Sequence, residues 1–418
     1  MGAVSWDPEK QLGTFEYDRD FLKMGLDPSP VHMPVEQARI GEPRYEFRTL
    51  PRKTFMGLPG LLADALPDRF GNAVINSWLA GQGRTEDSFS PVERLCYIGK
   101  RAMGAMEFSP VLNPSIDRSV LVEIEELLML AQTVINERSE LRANLEPKSS
   151  EAMLNIIRVG TSAGGNRPKA VIALNDETKE VRSGQVEAPD GFDYWVLKFD
   201  GVKDNALGDP AGYGRIEYAY SKMAVKAGIT MTECRILEEN GRAHFMTKRF
   251  DRPRGGEKLH MQSLCAMAHF DFNDSGAYSY EQAFQVIREL RLNYDAVEQQ
   301  FRRMVFNIVA RNQDDHTKNI AFLMDTNGQW RLSPAFDVIY SFNPEGMWTS
   351  NHQMTIRGKR DGITMKDLAE VGAEQSIKRS EAIIDEIVEV VANWPDFARE
   401  AGVQARQIKS IGETHRSG

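Results

Sequence analysis

Apolar residues along this chain follow two periods, and the change from one to the other divides it. In the first 253 positions short stretches alternate apolar and polar, and beyond them long stretches repeat every three to four residues. Residues 13–17 read as a strand leaving a turn, and 72–80 as a helix with Val74, Ile75, Trp78 and Leu79 on one face. Residues 92–98 read as a second helix and 105–109 as a strand. Residues 119–144 have helical spacing through Leu121, Ile124, Leu127, Leu128 and Ala131. Strands are expected at 170–174 and 192–199, the latter rich in aromatic and β-branched residues. A helix over 216–227 stops at Gly228, and strands 234–237 and 243–250 flank Asn240-Gly241, a strong hairpin signal.

After about Arg254 the helical period dominates, at 280–291, 295–311, 365–371 and 376–394. One small hairpin interrupts it, 320–324 and 330–333 around the turn 326–328. The Pro-Val-Leu-Asn-Pro stretch at 110–114 is the clearest boundary. The expected architecture is α+β: a bilobal protein-kinase-like fold with a strand-rich N-lobe (118–253), a helical C-lobe (254–418) and a small N-terminal α/β subdomain (1–117).

Composition narrows the class. The 418 residues are 41% hydrophobic and 27% charged, as in a folded globular protein. A net charge of −9 does not suit a surface that coats DNA or an anionic membrane. The scattered Cys96, Cys234 and Cys265 support neither a disulfide framework nor a zinc site. No apolar run has membrane-spanning length and no leader is evident, so a cytoplasmic protein is expected.

Candidate chemistry concentrates in residues 310–337. Asp314 and Asn319 have the spacing of a kinase catalytic loop, in which the aspartate accepts a hydroxyl proton and the asparagine ligates Mg²⁺. Asp337, after the hairpin, is placed to hold the metal that bridges phosphates. Asp315 has no assigned role. A metal site built on His316 is disfavoured, because no other histidine lies at ligand spacing from it. Upstream, Gly160, Gly164 and Gly165 lie in a turn whose N–H groups suit an anion, and Lys169 closes it. The turn is not a Walker loop; as a plain hairpin turn it would carry no ligand. Lys198 lies in an apolar strand, where an ammonium needs an anion; by alternation alone it could equally face water. Glu217, on the following helix, is a candidate partner for it.

These motifs, in this order, resemble the HipA family, serine/threonine kinase toxins of bacterial toxin–antitoxin pairs. The resemblance rests on Asn312-Gln-Asp-Asp-His-Thr-Lys-Asn319, Leu332-Ser-Pro-Ala-Phe-Asp337, Ser162-Ala-Gly-Gly-Asn-Arg-Pro-Lys169, Trp195-Val-Leu-Lys-Phe199 and Lys248-Arg-Phe-Asp-Arg252. Residues 57–71 and 94–109 resemble the family's N-terminal subdomain, whose first strand is expected to be short or missing here. The resemblance implies Asp314 as base and Asn319 and Asp337 as Mg²⁺ ligands. It implies an ATP site including Thr161, Ser162, Ala163, Gly164, Gly165, Lys169, Lys198, Lys248, Phe250, His316 and Lys318, with Thr161 or Ser162 as autophosphorylation site. It also implies a HipB-like helix-turn-helix antitoxin as partner, DNA contact only through that antitoxin, and a protein substrate such as an aminoacyl-tRNA synthetase. The alternatives are a catalytically silent co-repressor and a small-molecule kinase.

Overall fold

A computed structural model describes residues 1–81, 83–112, 117–136, 167–202, 212–253 and 257–416. The N-terminal region opens with an antiparallel sheet of β1 (Gly2–Asp7), β2 (Leu12–Tyr17) and β3 (Arg44–Tyr45), in that order. The first strand, expected to be short or missing, is therefore present and pairs with β2 from Gly2 to Asp7. It left little trace in the sequence because its side chains are exposed or half-buried: Val4 and Trp6 pack only in part against the core, and backbone pairing with β2 supplies the rest of the hold. Phe15 and Tyr17 of β2 enter a core shared with Leu61, Leu62 and Ile98.

Two other expectations for this half fail. Residues 105–109 form no strand, because the chain folds back locally there: the Phe108 N–H donates to the Gly99 carbonyl at 3.0 Å, and the neighbouring Gly104 is fastened by its N–H to Asp251 Oδ2 at 2.7 Å. The helix expected from residue 119 starts at Ile124. Residues 120–122 instead run extended along β5 (Val181–Ser183), which leaves Leu121 58% exposed. The short β5 had no signal of its own.

The N-lobe is a five-stranded antiparallel sheet in the order β5, β4 (Lys169–Leu174), β6 (Asp193–Lys198), β8 (Arg242–Lys248), β7 (Cys234–Glu239). Asn240 and Gly241 turn β7 into β8 with φ of 47° and 77°, the left-handed pair a tight hairpin requires. On one face Ala170, Ile172, Trp195, Leu197 and Met246 pack beneath the helices Arg69–Gly81 and Ile124–Asn136. That cluster joins residues on both sides of position 117, so the first region and the sheet share a core. Burying one such large side chain contributes on the order of 2 kcal/mol.

The other face meets the helix Tyr213–Lys226. Gly214 lets its first turn approach β8: a Cβ there would lie 2.0 Å from the Ala243 carbonyl oxygen. Ile216, Tyr220 and Met223 from this helix reach the C-lobe core, beside Phe301, Phe306, Ile383 and Trp394. The C-lobe helices are Tyr280–Glu289, Tyr294–Val309, Met365–Glu374, Ser380–Ala392, Trp394–Glu400 and Ala405–Gly412. Three of them are capped by side chains: Asn293 accepts the Ala296 N–H, and Ser279 with Gln282 and Thr364 with Asp367 form reciprocal capping boxes.

The expected hairpin is β10 (Ala321–Met324) and β11 (Trp330–Leu332), and it gains an unforeseen third strand, β9 (His260–Ser263), on the other side of β10. This small sheet sets the segment before β10 and the segment after β11 side by side, under the N-lobe. The architecture is α+β and bilobal, as a kinase-like fold requires. Among the described residues no helix is long and apolar enough to cross a membrane.

Candidate active site

Lys198 ends β6 on the face away from Trp195, where alternation leaves open whether it meets protein or water. It meets protein. Its Nζ donates to Glu217 Oε1 and, at 2.5 Å, to Asp337 Oδ1. The lysine side chain is 14% exposed and that of Glu217 6%, so the ion pair is screened little by solvent. Burial alone would push the lysine down; the Asp337 and Glu217 charges outweigh it and hold the ammonium well above its ordinary range. Burial would raise Asp337, yet Lys198, with Lys169 and His316 further off, brings its carboxyl down to about 2. Glu217, more deeply enclosed, is pushed up by burial despite Lys198.

Asp337 has φ of 53°, a left-handed conformation costly for a residue with a Cβ. The turn directs its carboxylate to Lys198, and Asn312 Nδ2 holds its carbonyl at 3.4 Å. A second left-handed residue, Arg311 (φ 57°), ends the run of the helix Tyr294–Val309 and swings the chain into residues 312–319.

Within that loop the two adjacent aspartates point opposite ways. Asp315 is 1% exposed and fully engaged. Its Oδ2 accepts from Tyr280 Oη at 2.8 Å and lies 2.9 Å from His352 Nδ1, and its Oδ1 accepts from the Gln353 N–H at 2.8 Å. Asp315 thus ties the loop to the helix Tyr280–Glu289 and to the crossing segment at 352–353. Asp314 is 41% exposed and free to meet a solute. Its Oδ1 accepts from Trp348 Nε1 at 2.5 Å, and His316 Nε2 stands 3.9 Å away. Asn319 donates Nδ2 to the Asp314 carbonyl at 2.7 Å, which leaves its amide oxygen for a cation.

Among the described residues no group of three or more His, Cys, Asp or Glu side chains is gathered to hold a metal alone. Asn319 and Asp337 together suit a hard cation that takes few protein oxygens and completes its shell with phosphate and water, as Mg²⁺ does.

Lys169 lies directly across from Lys198 in the β4–β6 register and is itself buried. Lys318 sits with its Nζ 4.8 Å from the Phe272 ring centre, and His316 packs between Phe272 and Trp348. Phe250 meets Phe336, next to Asp337, at 5.6 Å between ring centres. Lys248 is not brought to this cluster: it leans to the Trp195 face and pairs with Asp193 Oδ2 at 2.6 Å. Thr161, Ser162, Ala163, Gly164 and Gly165 lie outside the described residues. Two neighbours went unnoticed in the sequence. Trp348 carried no motif, and Asp68, 3.9 Å from Lys169 through Oδ2, lies far away along the chain.

The family model for the HipA-like C-terminal domain matches residues 161–394, and that for the HipA N-terminal domain matches residues 1–109. The fold is similar to a solved HipA–HipB–operator DNA complex from Shewanella oneidensis MR-1, with TM-score 0.69 and 16% identity over 99% of this chain and 92% of that one. A weaker likeness, TM-score 0.36 and 12% identity over 60% of this chain and 90% of that one, is to the Helicobacter pylori proinflammatory kinase CtkA. In sequence, the kinase-named protein Y4mE of Sinorhizobium fredii is 23% identical over 218 residues, 50% of this chain. The match spans 43% of that relative. With both domain models matched in order, the chain belongs to the HipA family of kinase toxins.

Proposed function

We propose that this protein is an ATP- and Mg²⁺-dependent serine/threonine protein kinase. The observation that carries the reading is Lys198 joined at once to Glu217 and Asp337, beside an exposed Asp314 whose loop is anchored from behind. Lys198 binds nucleotide phosphate, and Glu217 keeps it in place. Asn319 and Asp337 would hold Mg²⁺, which would supply charge neutralisation to the phosphates. Asp314 accepts the proton of the incoming hydroxyl while the hydroxyl oxygen forms the new bond to phosphorus and the bond to the nucleotide's leaving oxygen breaks. Most of the acceleration comes from position and charge, since the transfer asks little covalent chemistry of the protein. Lys169, His316 and Lys318 face the phosphates, and Phe250 with Phe336 borders the base.

The family reading extends this to a HipB-like helix-turn-helix antitoxin, to an aminoacyl-tRNA synthetase as target, and to self-modification at Ser162 or Thr161. It also keeps the division at 117 and 253. The test uses labelled ATP and Mg²⁺ with the protein alone and with bacterial lysate, followed by peptide mapping. Label on a protein serine or threonine is expected, with the self-label at Ser162 or Thr161. Label on neither the protein itself nor any lysate protein would refute a protein kinase.

A further inference from the structure

The cations around the proposed nucleotide site have unequal partners. Lys198 has two carboxylates from its own lobes. Lys169, directly across from it, faces a carboxylate from the N-terminal region, Asp68, at 3.9 Å. Asp68 stands just before the helix Arg69–Gly81, and its Oδ1 accepts the Gly71 N–H at 2.6 Å, capping that helix. Its Oδ2 is buried without a hydrogen-bond partner and is aimed at the ammonium. The two side chains are 4% and 6% exposed, so water screens their attraction weakly. Lys318, from the catalytic loop, adds attraction for the same carboxylate. Lys169 in turn acts on Asp337, so it lies between the N-terminal region's acid and the proposed metal ligand.

Resting on the kinase reading above, we propose that Asp68 is the internal counter-anion of Lys169, and that nucleotide phosphate takes its place. Phosphate approaching Lys169 must compete with a carboxylate that is already there, is buried, and repels it. The contact at 3.9 Å is too long for a hydrogen bond, so the exchange breaks only an electrostatic pairing. Burial also pushes the Asp68 carboxyl up, which eases its neutralisation once Lys169 turns to phosphate. The N-terminal region thereby sets nucleotide affinity through one side chain, acting on Lys169 rather than on the nucleotide.

The test is a titration of the full chain with Mg-ATP, read by a fluorescent ATP analogue, for wild type, Asp68→Asn, Lys169→Met, the double variant and Lys198→Met. Asp68→Asn is expected to bind Mg-ATP about fivefold tighter or more, and to lose that gain when Lys169→Met is present, as a coupled pair does. Asp68→Glu, which keeps the carboxylate, should bind Mg-ATP as wild type does. Unchanged or weaker binding by folded Asp68→Asn, or a gain that persists with Lys169→Met, overturns the proposal. If Asp68→Asn does not fold, Asp68→Ser, which keeps a cap for the Gly71 N–H, is read by the same criteria. Lys198→Met separates the two levels. If wild type binds Mg-ATP and Lys198→Met does not, the kinase reading stands and the Asp68 result is judged by itself. If wild type binds no Mg-ATP, or Lys198→Met binds as well as wild type, the kinase reading falls and this inference with it.

Discussion

Trp348 donates its indole N–H to Oδ1 of Asp314 at 2.5 Å, and so fixes one oxygen of the exposed aspartate while the other stays open. The bond turns a half-exposed carboxylate into a directed one. Replacing Trp348 by Phe keeps much of the apolar bulk and removes the donor. Phosphoryl transfer by Trp348→Phe should slow about tenfold, the usual scale for one oriented hydrogen bond at a reacting group. Affinity for Mg-ATP should stay within about twofold, because the indole contacts the base rather than the lysines. Single-turnover transfer rates beside nucleotide titrations check this; loss of affinity with unchanged rate would place Trp348 elsewhere in the cycle.

The two neighbouring aspartates should separate cleanly under mutation. Asp315→Ala leaves Tyr280, His352 and the Gln353 N–H without their shared acceptor in a dry interior. Removing one member of such a buried network costs about 3–5 kcal/mol. Asp314→Asn removes no buried partner and should melt within about 1 kcal/mol of wild type. Denaturant unfolding of both variants measures the difference directly.

Three histidines make stability depend on mildly acid pH. Burial, with nearby Arg242, pulls His244 down to about 4. Burial, with Arg311, does the same to His415, and burial, with His32, takes His269 to about 3. Each stays neutral in the folded protein at pH values where the unfolded chain would protonate it. The unfolded state therefore binds more protons between the ordinary histidine range and about pH 4, and stability falls as pH is lowered through that window. Each imidazole contributes up to about 1.4 kcal/mol per pH unit there. His244 accepts the Asp200 N–H through Nδ1 at 2.9 Å, so His244→Gln should flatten part of the slope. Melting temperatures from pH 7 to pH 4 test the sign; stability rising toward pH 4 would contradict it.

Legibility in the sequence followed distance along the chain. Asp314 and Asn319 stand at a fixed short spacing, and their loop closes on itself through Asn319 Nδ2 and the Asp314 carbonyl, so the motif carried its own geometry. The Asn240-Gly241 hairpin was legible for the same reason. Lys198 was not decidable from alternation, because what covers its face is a helix and an aspartate from elsewhere. Asp315 gained a role only when Tyr280 and His352 converged on it. The strand β1 was hidden because its apolar face is only Val4 and Trp6, both half-buried, and pairing with β2 supplies the rest. Lys248 looked equivalent to its neighbours in the motif, yet strand alternation sends it to the Trp195 side and to Asp193.

The charge on Asp337 should persist into strong acid. With Lys198 holding its carboxyl down to about 2, the stability that the ionised form contributes is present above the ordinary carboxylate range and is lost as pH falls toward 2. Asp337→Asn should leave nucleotide binding weak and independent of Mg²⁺, whereas wild type should bind ATP more tightly when Mg²⁺ is present. Titrations with and without Mg²⁺ check this; an unaltered Mg²⁺ effect in Asp337→Asn would remove it from the metal site.

Protein kinase activity is measured by Mg²⁺-dependent transfer of labelled phosphoryl from ATP to protein, comparing wild type with an Asp314→Asn variant shown to be folded and to bind Mg-ATP normally. Label is expected with wild type, with a loss of at least about a hundredfold in Asp314→Asn, the scale of a general base. Equal labelling by the two proteins would contradict that role for Asp314.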